Sequence, residues 1–271
     1  MHTILSYVTL ALYAASLALY FWHLYGDNRL VGRLATLFLA AGIVVHYLAL
    51  LHRSRALHSV PYQDIYGSIS LFAWLIAVTY LGLEVYHRQR AVGSFVVLFL
   101  LAWLAVGMVI APVRPPGPPP ARGALFALHV TLNILAYSAF ALSFILSLIY
   151  LVQNRILRAR RPSRVLWKFP PLDLLEKMCR SSVAVGVLSL FLGAGMGLIW
   201  EHRLSGHYAF ADFKVIITAF VLLVYAGYLW LARQTHWRGV RAARLCAFNF
   251  VFVLFSYTLV NLYLTGFHRY F

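Results

Sequence analysis

Residues 181–233 read "SSVAVGVLSLFLGAGMGLIWEHRLSGHYAFADFKVIITAFVLLVYAGYLWLAR", two apolar runs, 181–200 and 213–233, on either side of a short polar turn. Crossing the hydrocarbon core takes about 20 mostly apolar residues as a helix, and each run reaches that length. Inside a bilayer no water satisfies the backbone, so a run of this kind is helical there. The turn between them is dense in chemistry for its length. It holds His202, His207, Trp200, Tyr208, Phe210 and Asp212.

The same reading extends along the rest of the chain. Apolar runs of span length recur at about 4–24, 32–52, 66–86, 92–112, 124–150 and 243–265, which with the first two makes eight. The composition agrees, with 62% hydrophobic residues, 11% charged residues and a mean hydropathy of +0.79. A soluble domain of 271 residues has no interior large enough for that much apolar surface. The expected fold is therefore all-α, a polytopic membrane bundle of eight transmembrane helices in a single domain, residues 1–271. The first run is span-length and has no basic segment before it, so no cleavable signal peptide is expected.

Charge orients this bundle. Sixteen of the 23 Lys and Arg residues fall in the connections that follow spans 1, 3, 5 and 7. By the positive-inside rule those connections are cytoplasmic and both termini lie on the outer side of a bacterial plasma membrane. The same distribution accounts for the net charge of +16. Basic loops flanking spans contact anionic lipid, and no nucleic-acid partner is expected. The longest inner loop, about 151–180, is basic and includes "KFPPLDLLEKMCR" (168–180), where the paired prolines end any helix from span 5 and Asp173 opens a short amphipathic turn into span 6. The outer connection "PVRPPGPPPARG" (112–123) is expected to be stiff and extended. Cys179 and Cys246 are not in a Cys-x-x-Cys arrangement and read as packing residues.

Ionisable groups within spans are costly and mark function. His2, His23, His52, His87 and His236 lie at span ends, where imidazole sits comfortably among headgroups. His129 is deeper, and "HVTLNILAY" (129–137) places Asn133 and Tyr137 below it on one helical face. His268 lies just beyond the outer end of span 8, and His46 is in the outer half of span 2. Two readings stay open for the pair His129 and His268: a helix-bonded histidine with a solvated tail residue, or a bis-His site for haem iron. In the second, the aromatic turn at about 200–214 supplies the flat apolar shelf. Glu84 has Arg88 one turn on, and the glycines of "GAGMG" (193–197) read as close helix packing.

Several patches carry a family resemblance: "HSVPYQDIYGSISLFAW" (58–74), "LHVTLNILAYSAF" (128–140), "PPLDLLEKMCRSSVAVGVLSLFLGAGMGLIW" (170–200), "WRGVRAARL" (237–245) and "VNLYLTGFHRY" (260–270). The chain resembles the cytochrome c assembly family of haem-handling membrane proteins, which includes CcsA-type synthase subunits and smaller HemX-like relatives. That family has an outer loop of the form W-G-x-Y-W-x-W-D-P-K-E. Here "GHYAFADFKV" (206–215) matches it at Gly206, Tyr208, Asp212 and Lys214, and Ala209 and Ala211 stand where two tryptophans would be.

The resemblance implies non-covalent, b-type haem held between His129 and His268 at the outer face. Trp200, Tyr208, Phe210 and Asp212 would lie around it, and His46 matches the histidine of span 2 in the smaller relatives. The family's intramembrane histidine of span 7 falls on or near Trp230, which cannot ligate iron. The resemblance further implies a role in cytochrome c biogenesis, at most as one subunit of a haem lyase. A partner membrane subunit with a large outer domain and an apocytochrome c would complete the reaction. Its alternative is a HemX-like scaffold or regulator of haem biosynthesis that binds no haem, with the basic 151–180 loop as a docking surface.

Overall fold

A computed structural model describes residues 2–26, 28–56, 64–110, 123–160, 169–208, 210 and 212–263. Within them the regular structure is helical: α1 (His2–Gly26), α2 (Arg29–Ala56), α3 (Ile65–His87), α4 (Gly93–Ile110), α5 (Ala124–Arg158), α6 (Leu172–Ser205), α7 (Phe213–Leu231) and α8 (Val240–Tyr263), with a 3₁₀ turn at Thr235–Trp237 before α8. Six helices, α1, α2, α3, α5, α6 and α7, are long and apolar enough to cross a membrane, and Gly93–Val109 is a shorter apolar helix. The protein is a multi-pass membrane protein.

Helix ends are set by local chemistry. The Asp64 side chain caps α3 by accepting from the Gly67 N–H at 3.0 Å and pairs with Arg53. At the other end Arg88 is left-handed, with φ 53°, and its N–H returns to the Glu84 carbonyl. Gly206, with φ 75°, closes α6 by donating its N–H to the His202 carbonyl at 2.9 Å. Two helices overrun their apolar segments. α5 continues to Arg158, and α6 begins at Leu172 with Asp173 in its first turn. The expected short turn before span 6 is thus the first part of one 34-residue helix, because nothing after Pro171 interrupts it. At about 1.5 Å per residue both helices exceed the hydrocarbon thickness.

The chain forms two compact units, Met1–Pro119 with Gln153–Leu174, and Pro120–Val152 with Leu175–Phe271. In the first, α1 packs on α2 and α4, and α3 packs on α2 and α4. Tyr13, Tyr20, Leu39, Ile76, Tyr80 and Leu100 fill its interior. Two side chains tie its helices by bonding to a neighbouring backbone carbonyl: Ser16 Oγ donates to Ala35 at 2.9 Å and Trp74 Nε1 to Ile43 at 2.9 Å. In lipid such bonds contribute about 0.6 kcal/mol each, so close packing carries more of the stability.

Glu84 is buried in this unit. Tyr20 donates its hydroxyl to Oε2 at 2.5 Å, Thr36 donates to Oε1, and Arg90 Nε lies 3.4 Å from Oε1. The ion-pair partner is therefore Arg90 and not Arg88. The left-handed turn at Arg88 takes that residue off the helix face and returns the chain two residues later.

In the second unit the helical parts of α5 and α6 meet around Phe140, Leu142, Leu146, Met178 and Leu190. Phe140 stacks on Tyr225 of α7 with ring centroids 3.7 Å apart, and Ser182 Oγ donates to the Ala139 carbonyl at 2.7 Å. Phe191, Leu223 and Phe248 are exposed, as lipid-facing side chains are.

Candidate functional site

The His129 ring is built into the second unit by its neighbours on α6. Its Nδ1 is 2.7 Å from the Gly193 carbonyl oxygen. A carbonyl only accepts, so in the neutral ring Nδ1 carries the proton and Nε2 keeps its lone pair. Among the described residues the hydrogen-bond partners of the ring are all at Nδ1. Asn133, one turn along α5, donates Nδ2 to the His129 backbone carbonyl at 2.8 Å and lies 3.1 Å from Nδ1.

Glycine makes this seat possible. A Cβ on Gly197 would come within 2.4 Å of His129 Cε1, and one on Gly193 would lie 3.1 Å from Asn133 Oδ1. The close packing expected of "GAGMG" is present, and what Gly193 and Gly197 accommodate is the histidine and its supporting amide. Gly195, between them, faces open space.

Rings gather at the same end of the unit. Phe126, three residues before His129, is buried, with its ring centroid 4.7 Å from that of Trp200 and 6.2 Å from the His129 ring. Two residues beyond Trp200, His202 stacks on Tyr208 at 4.2 Å with ring planes 5° apart, and Tyr208 stacks on Phe210 at 5.4 Å. Trp200 and His202 are still helical, so the turn proper spans only 206–212. Tyr208 and Phe210 are exposed. The result is two groups of rings, Phe126 and Trp200 beside His129, and a stack of His202, Tyr208 and Phe210.

The candidate residues fall into different places. His129 and Trp200 come together through Phe126, and Tyr208 and Phe210 come together with each other. Asp212 caps α7, accepting the Lys214 N–H at 2.7 Å. His46 is buried in the first unit, with Nδ1 3.2 Å from the Tyr13 hydroxyl and Nε2 2.9 Å from Ser70 Oγ. It lines a small cleft with Thr9, Ala49, Tyr66 and Leu104. His268 lies outside the described residues. Trp230 is exposed.

Sequence reasoning passed over Phe126, which could have been found from its i−3 spacing to His129. His202 was read only as one residue of the turn, and its pairing with Tyr208 carried no signal, because the stacking depends on the reversal at Gly206.

The chain is similar in sequence to known proteins. The chain is 29% identical over 240 residues to Protein HemX of Brevibacillus brevis, covering 84% of this chain and 83% of that protein. It is 25% identical over 262 residues to Protein HemX of Bacillus subtilis, covering 93% and 92%. To the cytochrome c biogenesis protein CcsA of a Synechococcus strain it is 24% identical over 298 residues, covering 99% and 96%. The family of cytochrome C assembly proteins matches residues 62–268, a stretch that includes His129, its glycine seat and the aromatic turn. By that match, the chain belongs to the cytochrome c assembly protein family.

Proposed function

We propose that this protein binds haem non-covalently at the outer end of its second unit, with His129 and His268 as axial ligands. Trp200, Tyr208 and Phe210 would lie against the macrocycle. The observation that carries the reading is the 2.7 Å contact between His129 Nδ1 and the Gly193 carbonyl, which assigns the proton to Nδ1. A metal-ligating histidine usually donates its other ring N–H to a carbonyl or carboxylate, which orients the ring and strengthens the ligating nitrogen. The Gly193 carbonyl supplies that partner, and the glycine at 197 leaves room for the ring.

Bound haem would supply a ferrous–ferric couple and reactive vinyl groups. The chain's own residues would hold and orient: Nε2 of His129 offers a lone pair, the rings exclude water, and Asp212 fixes the turn by capping α7. The same proposal includes eight spans with both termini outside. The family match crosses both compact units, which supports reading 1–271 as one domain. His46 belongs to the proposal as a cofactor contact of the first unit, separate from the iron whose two axial positions His129 and His268 would fill, and it would have to give up Tyr13 or Ser70 to make it. A partner subunit with a large outer domain and an apocytochrome c would receive the haem.

The test is an absorption spectrum of the purified protein, oxidised and reduced, with and without added haem, beside His129→Ala and His268→Ala. A bis-His spectrum in wild type that is lost or turned high-spin in each variant is the expected result. Haem bound unchanged by both variants overturns the ligand assignment.

A second reading, compatible with the similarity to HemX proteins, is a scaffold or regulator of haem biosynthesis that does not itself bind haem. The basic 151–180 segment would then dock a cytosolic partner. Replacing Arg158, Arg160, Arg161 and Arg164 with serine should abolish co-purification of that partner, and retention of it excludes the docking role.

A further inference from the structure

The two cysteines, 67 residues apart in sequence, meet inside the second unit. Their sulfurs are 3.5 Å apart, both residues are buried, and neither is in a disulfide. Hydroxyls surround them. Ser147 Oγ and Tyr228 OH each lie 3.3 Å from Cys179 Sγ, and Ser143 Oγ lies 3.3 Å from Cys246 Sγ. A hydroxyl that turns its proton toward sulfur favours the thiolate, which is the reactive form. Cys179 has two such neighbours; at Cys246 the Ser143 hydroxyl accepts from the thiol and gives its own proton to the Phe140 carbonyl.

A small cavity reaches only one of the pair. Leu146, Ser147, Tyr150, Leu175, Tyr228 and Cys179 line it, and Cys246 does not. It admits a molecule about the size of water and nothing as large as a peptide or a ring. Hydrogen peroxide, with two oxygens, is the smallest two-electron oxidant of its class and reaches Cys179 once this cavity opens slightly.

We propose that Cys179 and Cys246 form a peroxide-oxidised dithiol, with Cys179 as the attacking and Cys246 as the resolving residue. This site is separate from the proposed haem site and uses two residues that reading leaves idle. In the first step Cys179 sulfur attacks one peroxide oxygen and the O–O bond breaks. The departing hydroxide takes the thiol proton and leaves as water, and Cys179 becomes a sulfenic acid. In the second step Cys246 sulfur attacks Cys179 sulfur. The S–O bond breaks, the hydroxyl leaves with the Cys246 proton as a second water, and the disulfide forms. Two thiols and one peroxide give one disulfide and two waters, with two electrons passing from sulfur to oxygen. A disulfide needs its sulfurs about 2.05 Å apart, so the pair must close by roughly 1.5 Å, within reach of a small side-chain rotation. The product ties α6 to α8. Plain packing of two buried cysteines predicts no such chemistry.

The experiment treats the full-length protein in membranes with a slight excess of hydrogen peroxide, then denatures it and counts thiols with a maleimide–polyethylene glycol gel shift. Wild type is expected to lose both reactive thiols and regain both after dithiothreitol. In Cys246→Ser, dimedone added as the protein is denatured is expected to label Cys179; in Cys179→Ser, residue 246 keeps a free thiol. Retention of both thiols by peroxide-treated wild type overturns the proposal, and that count needs no variant to fold. Dimedone labelling of Cys246 in Cys179→Ser overturns the assigned roles.

Discussion

His129 occupies the space a side chain at residue 197 would fill: a Cβ on Gly197 would lie 2.4 Å from Cε1 and 2.5 Å from Nδ1 of the ring. Histidine and glycine are thus a matched pair across α5 and α6. Gly197→Ala must displace the ring and weaken its bond to the Gly193 carbonyl. Overpacking of this kind costs about 1–3 kcal/mol. The expected outcome is a lowered melting temperature in detergent and haem binding as poor as in His129→Ala. Gly195→Ala, at a position open to space, is the control and should behave as wild type.

Asp212 has a structural task that can be separated from any contact with a cofactor. Its carboxylate accepts the Lys214 N–H at the start of α7. Asp212→Ala should cost about 1 kcal/mol through the lost cap. Asp212→Ser, which caps nearly as well, should restore the melting temperature. If haem affinity follows the cap, the serine variant binds as wild type. A serine variant that is stable yet binds poorly would assign the carboxylate a direct role.

In the first unit the buried Glu84 carboxylate and Arg90 form an ion pair supported by Tyr20 and Thr36. Removing one partner of a buried pair strands the other, at about 3–5 kcal/mol. Arg90→Ala leaves the buried Glu84 carboxylate uncompensated and is expected to unfold at markedly lower temperature than wild type. Arg90 is partly exposed and can turn to solvent, so Glu84→Ala should cost less. Because Arg88 is not the partner, Arg88→Ala should leave the carboxylate's contribution intact. Thermal unfolding of the three variants in one detergent ranks them.

His46 bridges Tyr13 and Ser70 through its two ring nitrogens. His46→Leu leaves both hydroxyls without that partner in a buried site, a loss of about 1–3 kcal/mol. Haem titration then separates its two roles. An unchanged haem stoichiometry would mark His46 as a structural bridge, and a reduced one would mark it as a ligand.

Much of the architecture was legible because a bilayer permits few choices. Apolar runs near 20 residues long have to be helices, and each of the eight segments read this way contains one. Helix ends were harder to read, since hydropathy marks where lipid ends and not where the backbone stops being helical. α6 runs from Leu172 to Ser205 because no residue in that range breaks a helix, while Gly206 provides the left-handed stop. Histidine at 129, the glycines of 193–197 and the aromatic turn were visible as separate features.

What the sequence determined by itself is the class of molecule: a helical membrane protein, its approximate spans, and the histidines and rings available for a cofactor. Only the tertiary structure decided which residues serve one another. That Gly197 makes room for His129, that Glu84 pairs with Arg90, and that Cys179 meets Cys246 are all contacts between helices, or across a left-handed turn. Hydrophobic periodicity encodes how a segment meets its solvent. It does not encode which neighbouring face that segment meets, because lipid and packed protein are almost equally apolar.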